Sequence, residues 1–422
     1  MNKVVLLIHT KLVGYKFLFI NVVLGEKMKD YIYLDNSATT MVYQEVVDEM
    51  LPYFTDIYGN SSSLHTAGLN ANKGVSQARK RIATALNADE NEIYFTSGGT
   101  EANNWILKGI ATGNKHKGKH IIVSEIEHHS IIDSAKYLID CGFDVDFAPV
   151  DKNGVVDLDK LKSLVRKDTI LVSIMAVNNE IGSIQPVKDI VNIVKSVNPN
   201  TYVHSDYVQA ISVMSIDVKK LGLDALTISS HKIHGPKGVG ALYVKRGVKV
   251  DKFIHGGEQE RRMRGGTTNV PAIVGFGKAV ELNSVNLKEN INKLSQISNY
   301  FIEQVSSNIK YININSPNTR SPQIVNISFD LIEGESVLLW LNKNNIAVST
   351  GSACASTSLD KSHVLTALGL PHQLVNGAVR FSFGTDIEKE DVDYVITKLK
   401  EIVDNLRKMS PLKEEDVCIM KK

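Results

Sequence analysis

Cysteine is scarce in this chain: Cys141, Cys354 and Cys418 are the only three in 422 residues. Far apart and odd in number, they exclude a disulfide framework and a closely spaced metal site. That usage suits a reducing compartment, and a cytoplasmic location is expected. Neither sign of charge dominates, with 48 Lys+Arg against 46 Asp+Glu and a net charge of +2. The balance leaves no basic face for nucleic acid and no acidic tail, and it favours a small-molecule substrate. Long apolar runs are missing as well. Val4–Ile8 and Phe17–Leu24 are broken by His9, Lys11 and Lys16, short of the roughly 18 residues a membrane span needs. Residues 1–27 hold no arginine and no small-residue cleavage site, which argues against a presequence. This stretch is expected to be a non-essential extension, with no membrane contact.

What is present is alternation. From Tyr31 to Val244 the strand-like runs Ile93–Phe95, His120–Val123, Val145–Ala148, Ile170–Met175, Tyr202–Ser205, Ala225–Ile228 and Gly240–Val244 are separated by helical patterns such as Val75, Ala78, Ile82 and Leu86. Such alternation implies an α/β fold, a mainly parallel sheet of seven strands covered on both faces. Beyond Pro271 longer helices take over, ending in Val392, Val395, Ile396, Leu399, Ile402 and Val403 at helical spacing. The expected organisation is a large domain over residues 45–270 and a smaller α+β domain from 28–44 and 271–410. A charged, mobile tail is expected over 411–422. Cys141, ending an amphipathic helix, is expected in the core.

Chemistry collects where the strand-like runs end. Lys232 stands in Ser229-Ser230-His231-Lys232 just after one run, and Asp206 closes another. An amine that can hold an aldehyde as a Schiff base and a carboxylate that can keep a pyridine nitrogen protonated are the two needs of pyridoxal 5'-phosphate (PLP). Thr96-Ser97-Gly98-Gly99-Thr100-Glu101 joins a strand to a helix through a glycine turn, an arrangement suited to a phosphate. Ser229 and His231 add donors beside the lysine. Val208 shares a face with Asp206 in an extended segment, and Gln209 follows with an amide for the cofactor's phenolic oxygen. His128 is a candidate to stack on the ring and carry a proton. Asn178-Asn179 after the most apolar run offers amides that need partners.

These residues resemble one family, the cysteine desulfurases of the class V aminotransferase-like PLP enzymes. The resemblance runs from Tyr33-Leu34-Asp35-Asn36-Ser37-Ala38-Thr39-Thr40 to about Pro411, through the turn at Gly99, Asn178-Asn179-Glu180-Ile181-Gly182, the Lys232 motif and Val379-Arg380-Phe381-Ser382. Ser349-Thr350-Gly351-Ser352-Ala353-Cys354 is similar to the branch whose cysteine rides on a long mobile loop. The resemblance implies a PLP-dependent aminotransferase-like fold and a homodimer. It makes Lys232 the Schiff-base lysine, Asp206 the partner of the ring nitrogen, and His128 the stacking histidine. Asn179 and Gln209 become contacts to cofactor and substrate, and Gly99, Thr100, Ser229 and His231 phosphate ligands. Thr267 would reach the phosphate across the dimer. Arg380 would take the substrate carboxylate, and Cys354 would be the nucleophile that converts L-cysteine to L-alanine and keeps a persulfide. The persulfide sulfur would pass to an iron–sulfur scaffold or another acceptor, as in tRNA thiolation. Selenocysteine lyase on the same fold, and an inactive scaffold, are the alternatives. Tyr207, Glu258, Arg262 and Gly265 depart from the family pattern.

Overall fold

The computed structural model describes residues 31–350 and 361–418. The expected extension 1–27 and the expected nucleophile Cys354 lie outside the described residues. In chain order the first eight strands are β1 (Ile32–Tyr33), β2 (Ile93–Thr96), β3 (His120–Ser124), β4 (Asp144–Ala148), β5 (Thr169–Ser173), β6 (Tyr202–Asp206), β7 (Ala225–Ser229) and β8 (Gly240–Val244). The remaining four are β9 (Ile312–Ile314), β10 (Ile324–Phe329), β11 (Ile346–Ala347) and β12 (Ala378–Ser382).

Seven strands form one sheet in the order β2-β8-β7-β6-β5-β3-β4. Only β8 runs against its neighbours, so the sheet is mainly parallel, as the alternation predicts. Strands β3, β5, β7 and β8 are buried at every residue, as a sheet covered on both faces requires. On one face lie Val75, Ala78, Ile82 and Leu86 of the helix Thr66–Leu86. On the other lie Trp105, Ile106 and Ile110 of the helix Gly99–Asn114 and Ile131, Ala135 and Leu138 of the helix His129–Asp140.

A three-stranded antiparallel sheet, β12-β10-β9, and the parallel pair β1-β11 stand apart from the large sheet. They enclose a second core with Val395, Leu399 and Val403 of the terminal helix Lys389–Met409. The 39-residue helix Val270–Asn308 enters both cores, with Ile273 and Phe276 in the first and Leu294, Phe301 and Val305 in the second.

One expectation is overturned. Cys141 is exposed, because it caps the helix His129–Asp140 just past the turn whose apolar stripe faces the sheet. In the charged tail, the Cys418 N–H donates to Asp330 Oδ2 at 2.7 Å, and Gln373 Nε2 donates to the Asp416 carbonyl at 3.2 Å.

Candidate active site

The carboxyl ends of the parallel strands open into one hollow of about 390 Å³, within the usual size of small-molecule sites. Gly99 and Thr100 follow β2, His128 follows β3, Asn179 follows β5, Asp206 ends β6, and Ser229, His231 and Lys232 lie at the end of β7; all line this hollow together with Gln209 and Arg380. Strand ends are where such sheets place their ligands. Thr267 is not brought in. It lines a separate hollow of about 200 Å³ with Ser97, Gln259 and Arg264. A larger hollow of about 420 Å³, between the helices Thr66–Leu86 and Val270–Asn308, lacks a comparable convergence of buried acids and bases.

Asp206 is 5 % exposed. Its Oδ1 accepts the Val208 N–H at 2.8 Å, and its Oδ2 accepts from Asn103 Nδ2 at 2.6 Å. Burial raises the carboxyl above its usual range, and these two bonds and the Lys232 charge oppose that rise. Asn103 Nδ2 also donates to Ser130 Oγ at 2.9 Å, and the Ser130 N–H donates to His128 Nδ1 at 3.1 Å. A chain of polar contacts thus joins Asp206 to His128. With Nδ1 taken as an acceptor, the proton of the neutral ring sits on Nε2. Burial first, and the Lys232 charge second, push His128 down to about 4.

Lys232 Nζ donates to the Ser37 and Ala38 carbonyls, and Gln209 Nε2 donates to the same Ser37 carbonyl at 2.9 Å. Arg380 is 4 % exposed; its Nη1 donates to the Asn179 carbonyl at 3.0 Å and its Nη2 to Asp35 Oδ1 at 2.9 Å. The two neighbouring asparagines divide the work. Asn178 Oδ1 accepts the Glu180 and Ile181 N–H groups and so holds the turn, while Asn179 lines the hollow.

The glycine turn is built for close approach. A Cβ on Gly99 would come within 2.9 Å of Val208 Cγ2. Glu101, acidic in the first helical turn, is turned aside: it accepts the Ser97 N–H at 2.9 Å and two bonds from Arg264 at 2.9 and 3.0 Å. Burial would raise its carboxyl, but these bonds outweigh burial and hold it below the usual range.

Several residues in or just behind the hollow were invisible as site residues in the sequence. Asp35, Ser37 and Ala38 belong to a stretch quoted only for its resemblance, and its carbonyls and carboxylate turn out to hold Lys232, Gln209 and Arg380. Glu127 is buried, with Oε1 accepting the Met175 N–H at 2.7 Å and Oε2 without a partner; burial raises it well above the carboxylate range. Glu180 takes the Ser362 hydroxyl at 2.6 Å, and burial raises it to about 7. His363 Nε2 lies 2.9 Å from the Glu127 carbonyl.

The departures have physical places. The Tyr207 ring is 2 % exposed and packs in the core away from the hollow. Glu258 and Arg262 pair with each other at 2.9 Å on the surface. Gly265 lies so close to Gly256 that a Cβ would meet backbone at 2.8 Å.

Comparison with known proteins agrees with this geometry. The class V aminotransferase model matches residues 32–395. A cysteine desulfurase IscS of Methanosarcina thermophila is 51% identical over 381 residues, 90% of this chain and 94% of that one. One from Clostridium botulinum is 49% identical over 391 residues, covering 92% and 98%. Among solved structures a NifS-like protein superposes with a TM-score of 0.85 at 40% identity, covering 89% of this chain and 100% of that one. Fold, strand-end hollow and sequence together place the chain in the class V aminotransferase family, among its cysteine desulfurases.

Proposed function

We propose that this protein is a PLP-dependent cysteine desulfurase that converts L-cysteine to L-alanine and leaves a persulfide on Cys354. The convergence of Lys232, Asp206, His128 and Arg380 in one strand-end hollow carries the reading. The residues present suit the cofactor. Ser229 Oγ is buried without a partner, beside the first turn of a 16-residue helix whose N–H groups are the natural seat of a phosphate. PLP, when bound there, supplies an electrophilic aldehyde and a ring able to accept an electron pair from the substrate's α-carbon.

The chain's own residues do the rest. Lys232 would be the amine for the aldehyde and a base for the α-proton. Asp206 would face the ring nitrogen, whose positive charge would favour the ionised carboxylate against the rise that burial produces. Asn103 fixes the carboxylate so that one oxygen keeps its orientation. His128, neutral with its proton on Nε2, would stack on the ring and offer that proton as a donor. Arg380 takes the substrate carboxylate, with Asn179 beside it. Cys354 thiolate then attacks the substrate sulfur; the carbon–sulfur bond breaks, the carbon side gains a proton, and alanine leaves. Cys354 is five residues along the chain from Ser349, whose backbone pairs with that of Arg380. An extended chain therefore keeps it within about 18 Å of that anchor.

The acceptor is an iron–sulfur scaffold or another thiol-bearing protein, and the working unit is a cytoplasmic homodimer. Two observations support the dimer. Met41, Leu51, Phe54, Tyr58, Leu64 and Leu69 put exposed apolar side chains into one stretch of the chain. Thr267 lies outside its own chain's hollow, as a phosphate ligand given to a partner would.

Cys354→Ser is the test. With L-cysteine, the variant is expected to keep the cofactor's spectral response and to lose both alanine release and the persulfide seen by mass mapping. Alanine produced at the wild-type rate would refute the assignment.

A further inference from the structure

Arg380 is held from two sides before any substrate arrives. Five N–H donors belong to a guanidinium, and two of them are taken here, one on Nη1 by the Asn179 carbonyl and one on Nη2 by Asp35. Its Nε–H is buried without a partner, which is costly unless something else takes it. Asp35 is no loose surface acid. It forms a bridge with Ser382, the residue two beyond Arg380 on β12, and its neighbours are pinned to the same strand by Asn36 N–H to the Ser382 carbonyl at 3.2 Å and Ser382 N–H to the Leu34 carbonyl at 2.7 Å. Its side chain is 20 % exposed, and that of Arg380 is 5 % exposed. The cation that serves the hollow therefore already carries one carboxylate of its own chain.

We infer that Asp35 is a tuning residue for carboxylate binding: it shares the Arg380 charge, weakens the hold on any amino-acid carboxylate, and so lets the alanine product leave. The inference rests on the desulfurase reading given above. A second carboxylate on the same guanidinium has the remaining Nη hydrogens for it, but meets the field of Asp35. Substrate and product carry the same carboxylate, so both are weakened alike. Interactions that bind substrate and product equally add nothing to the chemical step, and an undiminished arginine would slow turnover by holding alanine.

The sign of the effect separates this from simple bracing. If Asp35 only braced Arg380, removing it would loosen binding. If it shares the charge, Asp35→Asn, which keeps an oxygen at the same place, tightens binding. The expected result for the holoenzyme is a fall on the order of tenfold in both the KM for L-cysteine and the dissociation constant of L-alanine measured by calorimetry. The value of kcat should fall where alanine release limits it. Asp35→Glu restores the charge and is expected to bring both constants back toward wild type. Cysteamine, which lacks the carboxylate, should bind Asp35→Asn and wild type equally. Constants that rise or stay put in Asp35→Asn, or an Asp35→Glu variant that behaves like Asp35→Asn, would overturn the inference. Should Asp35→Asn fold poorly, Asp35→Ser is judged by the same calorimetric sign. Absence of alanine production by the wild type would instead refute the desulfurase reading, whatever Asp35 does.

Discussion

Glu180 is a fully buried acid whose carboxyl lies near neutrality. Burial raises its carboxyl to about 7, while Ser362 and Arg380 pull it down. A carboxyl raised in the folded protein contributes stability that is full below its unfolded value and is lost as pH climbs through the folded value. Glutamine at this position has no such titration. Between pH 5 and pH 8 the stability of Glu180→Gln relative to wild type should therefore improve by roughly 3 kcal/mol. Urea denaturation of the apoprotein at several pH values measures this, and a flat difference would mean that Glu180 stays ionised. At this scale the sequence was most legible where one residue type has one chemical use. Lys232 and Asp206 declared themselves by type and by their place at the end of apolar runs, whereas Arg380, in the middle of β12, was named only by the family resemblance. Asp35, Asn103, Glu127 and Ser130 did not, because their meaning comes from partners up to 345 positions away in the chain, as in Arg380–Asp35, and no local pattern encodes such pairs.

Among the elements, the segment from His255 to Thr268 depends on anchors rather than on regular structure. Glu260 Oε2 accepts the Phe95 N–H at 2.9 Å, and its carboxylate takes both Nη atoms of Arg79 at 2.9 and 2.7 Å. Both side chains are largely buried, at 8 % and 13 % exposure. Removing one partner of such a pair strands the other, so Glu260→Ala should cost on the order of 3–5 kcal/mol by chemical denaturation. Arg262 illustrates the opposite case. Its φ of 70° lies in the left-handed region, where a side chain costs about 1 kcal/mol or more. Arg262→Gly should leave stability unchanged or raise it by up to about 1 kcal/mol, since only an exposed ion pair with Glu258 is lost; a clear loss would show that the pair matters. Strand and helix positions were readable from apolar spacing, and β8 was found as a strand. Its reversed direction was not readable, since direction depends on the connection and not on the run itself. The burial of Glu260 was equally hidden, because a charged residue in a glycine-rich stretch reads as solvated.

For the whole molecule, the homodimer is the expectation open to the most direct test. With a chain mass of 46.5 kDa, light scattering should report about twice that value for the holoprotein. Leu64, 92 % exposed, is the most exposed of the apolar side chains in the 41–69 stretch. Leu64→Asp should shift the assembly toward single chains and weaken cofactor retention at the same time, if Thr267 serves a partner's phosphate. Unchanged mass in that variant would place the contact elsewhere. The overall architecture was legible because alternating elements admit few arrangements. What could not be read was how the two cores are joined. The helix Val270–Asn308, about 58 Å long at 1.5 Å per residue, is common property of both. Neither core can melt without stripping apolar surface from half of that helix and leaving the other half without its support. Heating should therefore give one endotherm in a scanning calorimeter, with a van't Hoff enthalpy close to the calorimetric one for each cooperative unit, rather than two peaks from two independently melting bodies.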